Sequence, residues 1–193
     1  MTSPGCDSLR SAIREEIASI IPLDSLEEAH RSDALAWVDS DAGLFRVAKP
    51  DLPPKHLVSY FALVDGEHIL LVDHRLARLW LPTGGHVEPG EHPRETVARE
   101  LLEELGLSLQ HELAPPAFIT CTTTVGATAG HTDVSLWYVV NGCRSRALDF
   151  DANEFAAVRW FHRSEVPLGR ADPHLERFLV KLAIGRGSWR TGE

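Results

Sequence analysis

Cysteine is scarce in this chain: Cys6, Cys121 and Cys143 are the only three in 193 residues. An odd number argues against a disulfide framework, and no two of them stand at the spacing of a thiolate metal site. Positive charge is also short. Nineteen Lys and Arg against 28 Asp and Glu leave a formal net charge of −9, which argues against a nucleic-acid polymer as partner. No apolar run is long enough to cross a bilayer, and the opening MTSPGCDSLR lacks the apolar core of a secretory signal. The expectation is a cytoplasmic protein with no membrane partner. Internal repeats and low-complexity segments are missing too. What is present, 44% hydrophobic residues, suffices for one good core plus an extension.

The rest of the chain is organised around Gly85 to Leu107, GHVEPGEHPRETVARELLEELGL. Glu100, Glu103 and Glu104 stand at i, i+3 and i+4, so a helix places them on one face. Val97, Leu101, Leu102 and Leu105 fall on a different arc, which predicts one packed side and one acidic side. Like charges at i,i+4 cost roughly 0.2–0.5 kcal/mol per pair, and no lysine interrupts this face. A hard divalent cation turns that repulsion into coordination. Pro93 suits the first turn, Glu91 and Glu95 suit the positive end of the helix, and Gly106 suits a left-handed cap. Upstream, Leu81-Pro82-Thr83-Gly84-Gly85 reads as a strand ending in a turn where backbone can approach a ligand. Strand, glycine loop and acidic helix together outline a metal and phosphate site.

The spacing Gly-x5-Glu-x7-Arg-Glu-Leu-x-Glu-Glu-x-Gly-Leu resembles the signature of the Nudix hydrolase family at every fixed position. The segments around it, from about His56 to Val166, are similar to that family as well. Thr83 stands where many relatives have proline, a change expected to alter the stiffness of the turn.

The resemblance implies an α+β chain, a mixed-sheet α/β/α sandwich, acting on diphosphate linkages with Mg2+ or Mn2+. Carried over, Glu100, Glu103 and Glu104 become metal ligands, and the Gly84 or Gly85 carbonyl a further one. Arg99 would pair with Glu91 and orient those ligands. The general base stays open between Glu100, Glu154 ahead of a late strand, and His131, which with Asp133 flanks a loop able to close on the site. Arg46, Lys55, Arg75 and Arg78 are candidates for distal phosphates, and Trp80 and Trp137 for stacking on a base; each has an ordinary surface or core reading beside it. The expected reaction is hydrolysis of a nucleoside diphosphate linked to another moiety, by a metal-activated water. Two rivals are an isomerase of the isopentenyl diphosphate type, which would need a catalytic cysteine such as Cys121, and a non-catalytic nucleotide or metabolite sensor.

Residues 8–38 read as two helices. Ser8 is placed to cap the first, with Leu9, Ile13, Ile17 and Ile20 or Ile21 at helical spacing and Pro22 as its stop. The second starts near Asp24 or Ser25, with Leu26, Ala29 and Trp37 inward. This predicts an N-terminal helical extension over 1–43, packed on the core or across a homodimer, and a catalytic domain over 44–193. Leu44–Val47 is expected as a short strand, and Pro50, Pro53 and Pro54 as an extended connector. Strands follow at His56–Val64 and Glu67–Asp73 around an Asp65-Gly66 turn, then at 117–125, 134–141 and 155–161. A small-residue loop at 126–130 separates two of them. A last helix opens near Asp172 or Pro173.

Overall fold

A computed structural model describes residues 4–48, 52–124 and 130–185, with side chains of the first helix described from Ser8 onward. Two helices, α1 (Pro4–Ser19) and α2 (Ser25–Val38), lead into β1 (Lys55–Asp65), β2 (His68–His74), β3 (Leu79–Leu81) and β4 (Thr83–His86). Helix α3 (Pro93–Leu105) follows, then β5 (Phe118–Thr123), β6 (Thr132–Asn141), β7 (Phe155–His162) and α4 (Leu175–Gly185). Short 3-10 turns at Arg163–Glu165 and Leu168–Arg170 bridge the last two elements.

The sheet is mixed. Strand β1 runs parallel to β6 over its whole length, and its other edge is divided. Residues Val64 and Asp65 pair with β2 through the hairpin, whereas Val58–Phe61 pair with β4. Strand β2 moves away to join β3 and β7, and the opening it leaves beside β1 is where the cleft described below forms. The apolar run of β1 suits a strand covered on both faces. On one face lies a core of Leu57, Phe61, Val97, Leu101 and Leu105 that also takes in Ile13, Ile17, Ala34 and Trp37 from α1 and α2. On the other, Phe118 and Trp137 meet Leu175 and Phe178 of α4. The result is the α/β/α sandwich with a mixed sheet and N-terminal helices.

Several local expectations need correction. Helix α1 begins at Pro4, so Ser8 lies inside it and not at its N-terminus. Leu26 and Ala29 of α2 are exposed. The inward stripe there is Glu27, Ala34, Trp37 and Val38, because Glu27 accepts from the Leu23 N–H (2.7 Å) and pairs with Lys181 (2.5 Å). Asp24 caps α2 as expected, accepting from Glu27 N–H. Leu44–Val47 forms no strand, only a bridge from Ala48 to Leu52. The glycine turn is itself a strand, β4, in which the Thr83 hydroxyl donates to the Phe61 carbonyl at 3.1 Å. Leu102 is 57% exposed, since Glu104 takes its place in the buried arc beside Val97 and Leu101. The acidic and apolar faces therefore overlap at one residue. Pro50, position 125 at the end of the expected strand, and positions 126–129 of the small-residue loop lie outside the described residues.

Candidate active site

Strand β4 and helix α3 build the site between them. Gly84 has φ +145°, and a Cβ there would approach the Ser59 carbonyl oxygen to 2.1 Å. Only glycine lets β4 lie so close to β1. At Gly85 the obstacle is different, because a Cβ would stand 1.9 Å from Glu100 Oε1. The missing side chain makes room for a carboxylate. Glu104 reaches the same backbone, its Oε2 accepting the Gly84 N–H at 3.0 Å.

Helix α3 starts on a capping box: His92 Nδ1 accepts from Arg94 N–H, and Glu95 accepts from His92 N–H at 2.7 Å. Pro93 occupies the first turn and Gly106 closes the helix at φ 64°. The cap fixes the phase in which Arg99 and the glutamates emerge. Arg99 holds Glu91 by a two-pronged pair, Nε to Oε1 at 3.0 Å and Nη2 to Oε2 at 3.1 Å. Its Nη1 donates to Glu100 Oε1 at 2.7 Å and reaches Glu103 at 3.4 Å. Glu91 is also held by the Glu88 N–H and the Thr96 hydroxyl. The planar cation is thus anchored on the loop before α3 and aims Glu100, the kind of outer contact that fixes a ligating carboxylate.

Glu154 arrives from the other part of the sheet, just ahead of β7, with Oε1 3.4 Å from His74 Nε2. Glu100, Glu104 and Glu154 line one open cleft of about 600 Å³, together with Arg46, His86 and Asp133. Burial pushes Glu104 up to about 9, and the charges of Glu100 and Glu154 add to it. Burial raises Glu100 as well, against the pull of Arg99. For Glu91 burial acts upward, yet the hydrogen bonds from Arg99, Glu88 and Thr96 hold it below the ordinary carboxylate value. Burial takes His86 down to about 3, with Arg46 contributing, so its imidazole is neutral near pH 7. Crowded carboxylates that raise one another's pKa, beside a backbone stripped of Cβ, form an oxygen donor set suited to Mg2+ or Mn2+. The residues fit such a cation.

The structure gathers Glu100, Glu104, Gly84, Gly85, Glu154 and Arg46 at this cleft. Glu103 lies outside its lining, 61% exposed, within reach of Arg99. Arg75 and Trp80 are placed away from it. Arg75 donates to the Ala152 carbonyl, and Trp80 packs edge-on against Phe161 with its rings 4.9 Å apart. Lys55 is paired with Asp33, Arg78 is exposed, and Trp137 is buried core. His131 is buried behind Asp133 and does not face the cleft. Cys121 also stands outside the lining, its thiol near the His30 carbonyl and pushed up to about 12 by burial and the Asp33 charge. A thiol held protonated is a poor catalyst, which removes the support for the isomerase rival.

Sequence reasoning missed His56, His86, His74 and Tyr60. Tyr60 and His74 line the cleft, and His56 packs beside His86 at its wall. Alternation along β1 was the available signal for Tyr60, since Val58 and Tyr60 share a face with His86 and Gly84 across the ladder. None announced the histidines.

A mixed sheet split at its central strand, with a glycine strand cradling the carboxylates of a capped acidic helix, defines a class of phosphate-processing folds. The NUDIX domain profile matches residues 54–182, and the chain belongs to the Nudix hydrolase family. Solved structures agree on the fold. The MutT NUDIX hydrolase of Burkholderia pseudomallei superposes with TM-score 0.53 at 23% identity, covering 66% of this chain and 96% of that one. The E. coli dihydroneopterin triphosphate pyrophosphohydrolase gives 0.52 at 17% identity, over 72% and 99%. Among curated proteins, the NAD-capped RNA hydrolase NudC of Stutzerimonas stutzeri is 28% identical over 139 residues, 71% of this chain and 46% of NudC. An octanoyltransferase of Myxococcus xanthus is 35% identical over 103 residues, 50% of this chain and 27% of that protein. The chain therefore spans less than half the length of these curated relatives. No helix among the described residues is long and apolar enough to cross a membrane.

Proposed function

We propose that this protein hydrolyses a diphosphate linkage in a small nucleotide-type substrate, a nucleoside diphosphate joined to another moiety. One observation carries the reading: Glu100, Glu104 and Glu154 converge in a single open cleft against Gly84 and Gly85. Glu100 and Glu104, with Glu103 at the rim and a Gly84 or Gly85 carbonyl, would hold Mg2+ or Mn2+. When bound, such a cation neutralises the charged oxygens of the diphosphate and acidifies water.

The chain's own groups then have distinct tasks. Arg99 keeps Glu100 pointed into the cleft while Glu91 keeps Arg99 in place. Glu154, 44% exposed and beside His74, is the carboxylate with room to take the proton of an attacking water at an Oε atom, ahead of Glu100, which Arg99 occupies, and of buried His131. Arg46 faces the cleft from the connector before β1 and is positioned for a distal phosphate oxygen. The N-terminal helical extension over 1–43 supports the domain over 44–193 by sharing its core. A net charge of −9 disfavours a long RNA substrate, although NudC acts on NAD-capped RNA. The cytoplasm is the expected location.

The test is a panel of about a dozen diphosphate compounds, among them NAD, dinucleoside polyphosphates and dihydroneopterin triphosphate, with and without Mg2+ or Mn2+. Released phosphate is read after phosphatase treatment. Metal-dependent turnover of one class supports the proposal. Saturable binding without turnover would replace it with the sensor reading.

A further inference from the structure

A second cluster of titratable groups stands at the wall of the cleft, and the glutamate chemistry does not use it. His56 of β1, His86 of β4, and His131 and Asp133 at the start of β6 each present one donor atom, all within 4.8 Å of one another. The Nε2 atoms of His56, His131 and His86 stand 3.1, 3.4 and 3.9 Å from the same Asp133 oxygen, Oδ1. The sheet register brings them together. His56 and Asp133 are direct partners on β1 and β6, and His86 pairs with Val58, two residues along β1 on the same face. His56 is completely buried and His131 nearly so. His56 Nε2, His86 Nε2 and Asp133 Oδ1 are nevertheless buried with no hydrogen-bond partner.

The far sides of two of these rings explain why. His56 Nδ1 is 2.8 Å from the Pro53 carbonyl. A carbonyl only accepts, so that nitrogen carries the proton, and in the neutral ring Nε2 is a bare lone pair. It points at a carboxylate oxygen 3.1 Å away. His131 repeats the arrangement. His131 Nδ1 stands 3.2 Å from the Thr124 hydroxyl, a group able to accept its proton. In the tautomer protonated at Nδ1, Nε2 also turns a lone pair toward Asp133, 3.4 Å away. Acceptors facing acceptors in a buried site repel unless a cation lies between them. A single proton relieves one such contact, while one divalent ion serves all four donors. An imidazole whose far N–H is held by a carbonyl or hydroxyl is the usual posture of a metal-ligating histidine.

We propose that His56, His86, His131 and Asp133 form a transition-metal site for Zn2+ or a similar borderline divalent ion, separate from the glutamate site. Three imidazoles and one carboxylate select Zn2+-like ions over Mg2+. A tetrahedral ion with bonds of ~2.0–2.1 Å sets its donors about 3.3 Å apart; His56 and His131 already stand near that distance from Asp133, and His86 is the farther of the three from it. Four protein ligands close the coordination shell, which is the structural arrangement. The ion ties β1, β4 and β6 together beside Gly84 and Gly85 and stiffens the strand on which the glutamates are cradled.

The test uses the full chain carrying Glu104→Gln, which cripples the glutamate site, with Zn2+ titrated by calorimetry and Co2+ by its visible ligand-field absorption. This protein is expected to take up one Zn2+ and to show the intense spectrum of tetrahedral Co2+. Adding Asp133→Asn or, separately, the less buried His86→Gln is expected to weaken Zn2+ at least ~10-fold, with the circular dichroism of the folded protein retained. Two results overturn the proposal: no Zn2+ uptake by the folded Glu104→Gln protein, or uptake that neither added substitution weakens. Neither outcome depends on turnover, so failure of this site and failure of the proposed hydrolysis are read separately.

Discussion

Two clusters of metal-type donors flank β4, and they differ in almost every physical respect. The glutamates are oxygen donors on one helix, open to a cleft and aimed by an arginine. The histidine cluster is mostly nitrogen, half of it buried and half at the cleft wall, drawn from three strands and oriented by a carbonyl and a hydroxyl. The first collects charge and lets solvent and substrate reach it, which suits a hard, exchangeable cation. The second offers three imidazoles and one carboxylate at the cleft wall, a four-donor set that suits an ion that stays. Adjacent residues of one short strand, Gly85 and His86, serve the two clusters separately.

The largest effect that sharpens this contrast is loss of the fold at Gly84. A Gly84→Ala Cβ would stand 2.1 Å from the Ser59 carbonyl oxygen at φ +145°, and this backbone cannot give way, so destabilisation of about 3 kcal/mol or more is expected in chemical denaturation. Gly85→Ala should separate site from fold. Its Cβ displaces only the Glu100 carboxylate, so the thermal midpoint should hold while metal-dependent turnover drops about 10–100-fold. A midpoint falling as far as that of Gly84→Ala would erase the distinction.

Next comes Arg99→Lys, which keeps the charge and loses the fork that spans Glu91 and Glu100. Turnover is expected to fall about tenfold, chiefly through weaker Mg2+ activation. Activation by Mg2+ identical to wild type would show that Glu100 needs no orienting partner.

The smallest effect is in pH. Glu104 titrates at about 9 in the fold against an ordinary 4.5. The native state therefore keeps a proton that the unfolded chain releases, and the stability this gives is full at low pH and lost as pH rises toward 9. Asp172, raised to about 6 by burial, contributes the same sign lower down, so the window from pH 7 to 9 lies above it. Without metal the thermal midpoint should fall by several degrees across it, and saturating Mg2+ should abolish the fall. A flat metal-free profile would show that Glu104 is already ionised.

What could be read in the sequence follows the same division. The α3 cluster is local: Glu100, Glu103 and Glu104 lie within five residues, Pro93 and Gly106 mark the ends, and helical geometry does the rest. The strand order was less accessible, because β4 replaces β2 along β1 only through long-range pairing of Val58–Phe61. Leu102 and Glu104 exchange expected burial because the cleft demands a buried carboxylate. His56, His86 and Asp133 are far apart in the chain and at no motif spacing. Only the register that sets His56 against Asp133 assembles them.

The most direct test of the central claim is the initial rate of diphosphate hydrolysis against Mg2+ concentration for wild type and Glu104→Gln, on the best substrate of the panel. The substitution keeps shape and removes the carboxyl that Mg2+ would ionise, in a buried group that touches the Gly84 N–H. Turnover is expected to fall more than ~100-fold with the fold intact. Wild-type turnover and wild-type Mg2+ dependence in a folded Glu104→Gln protein would contradict the account.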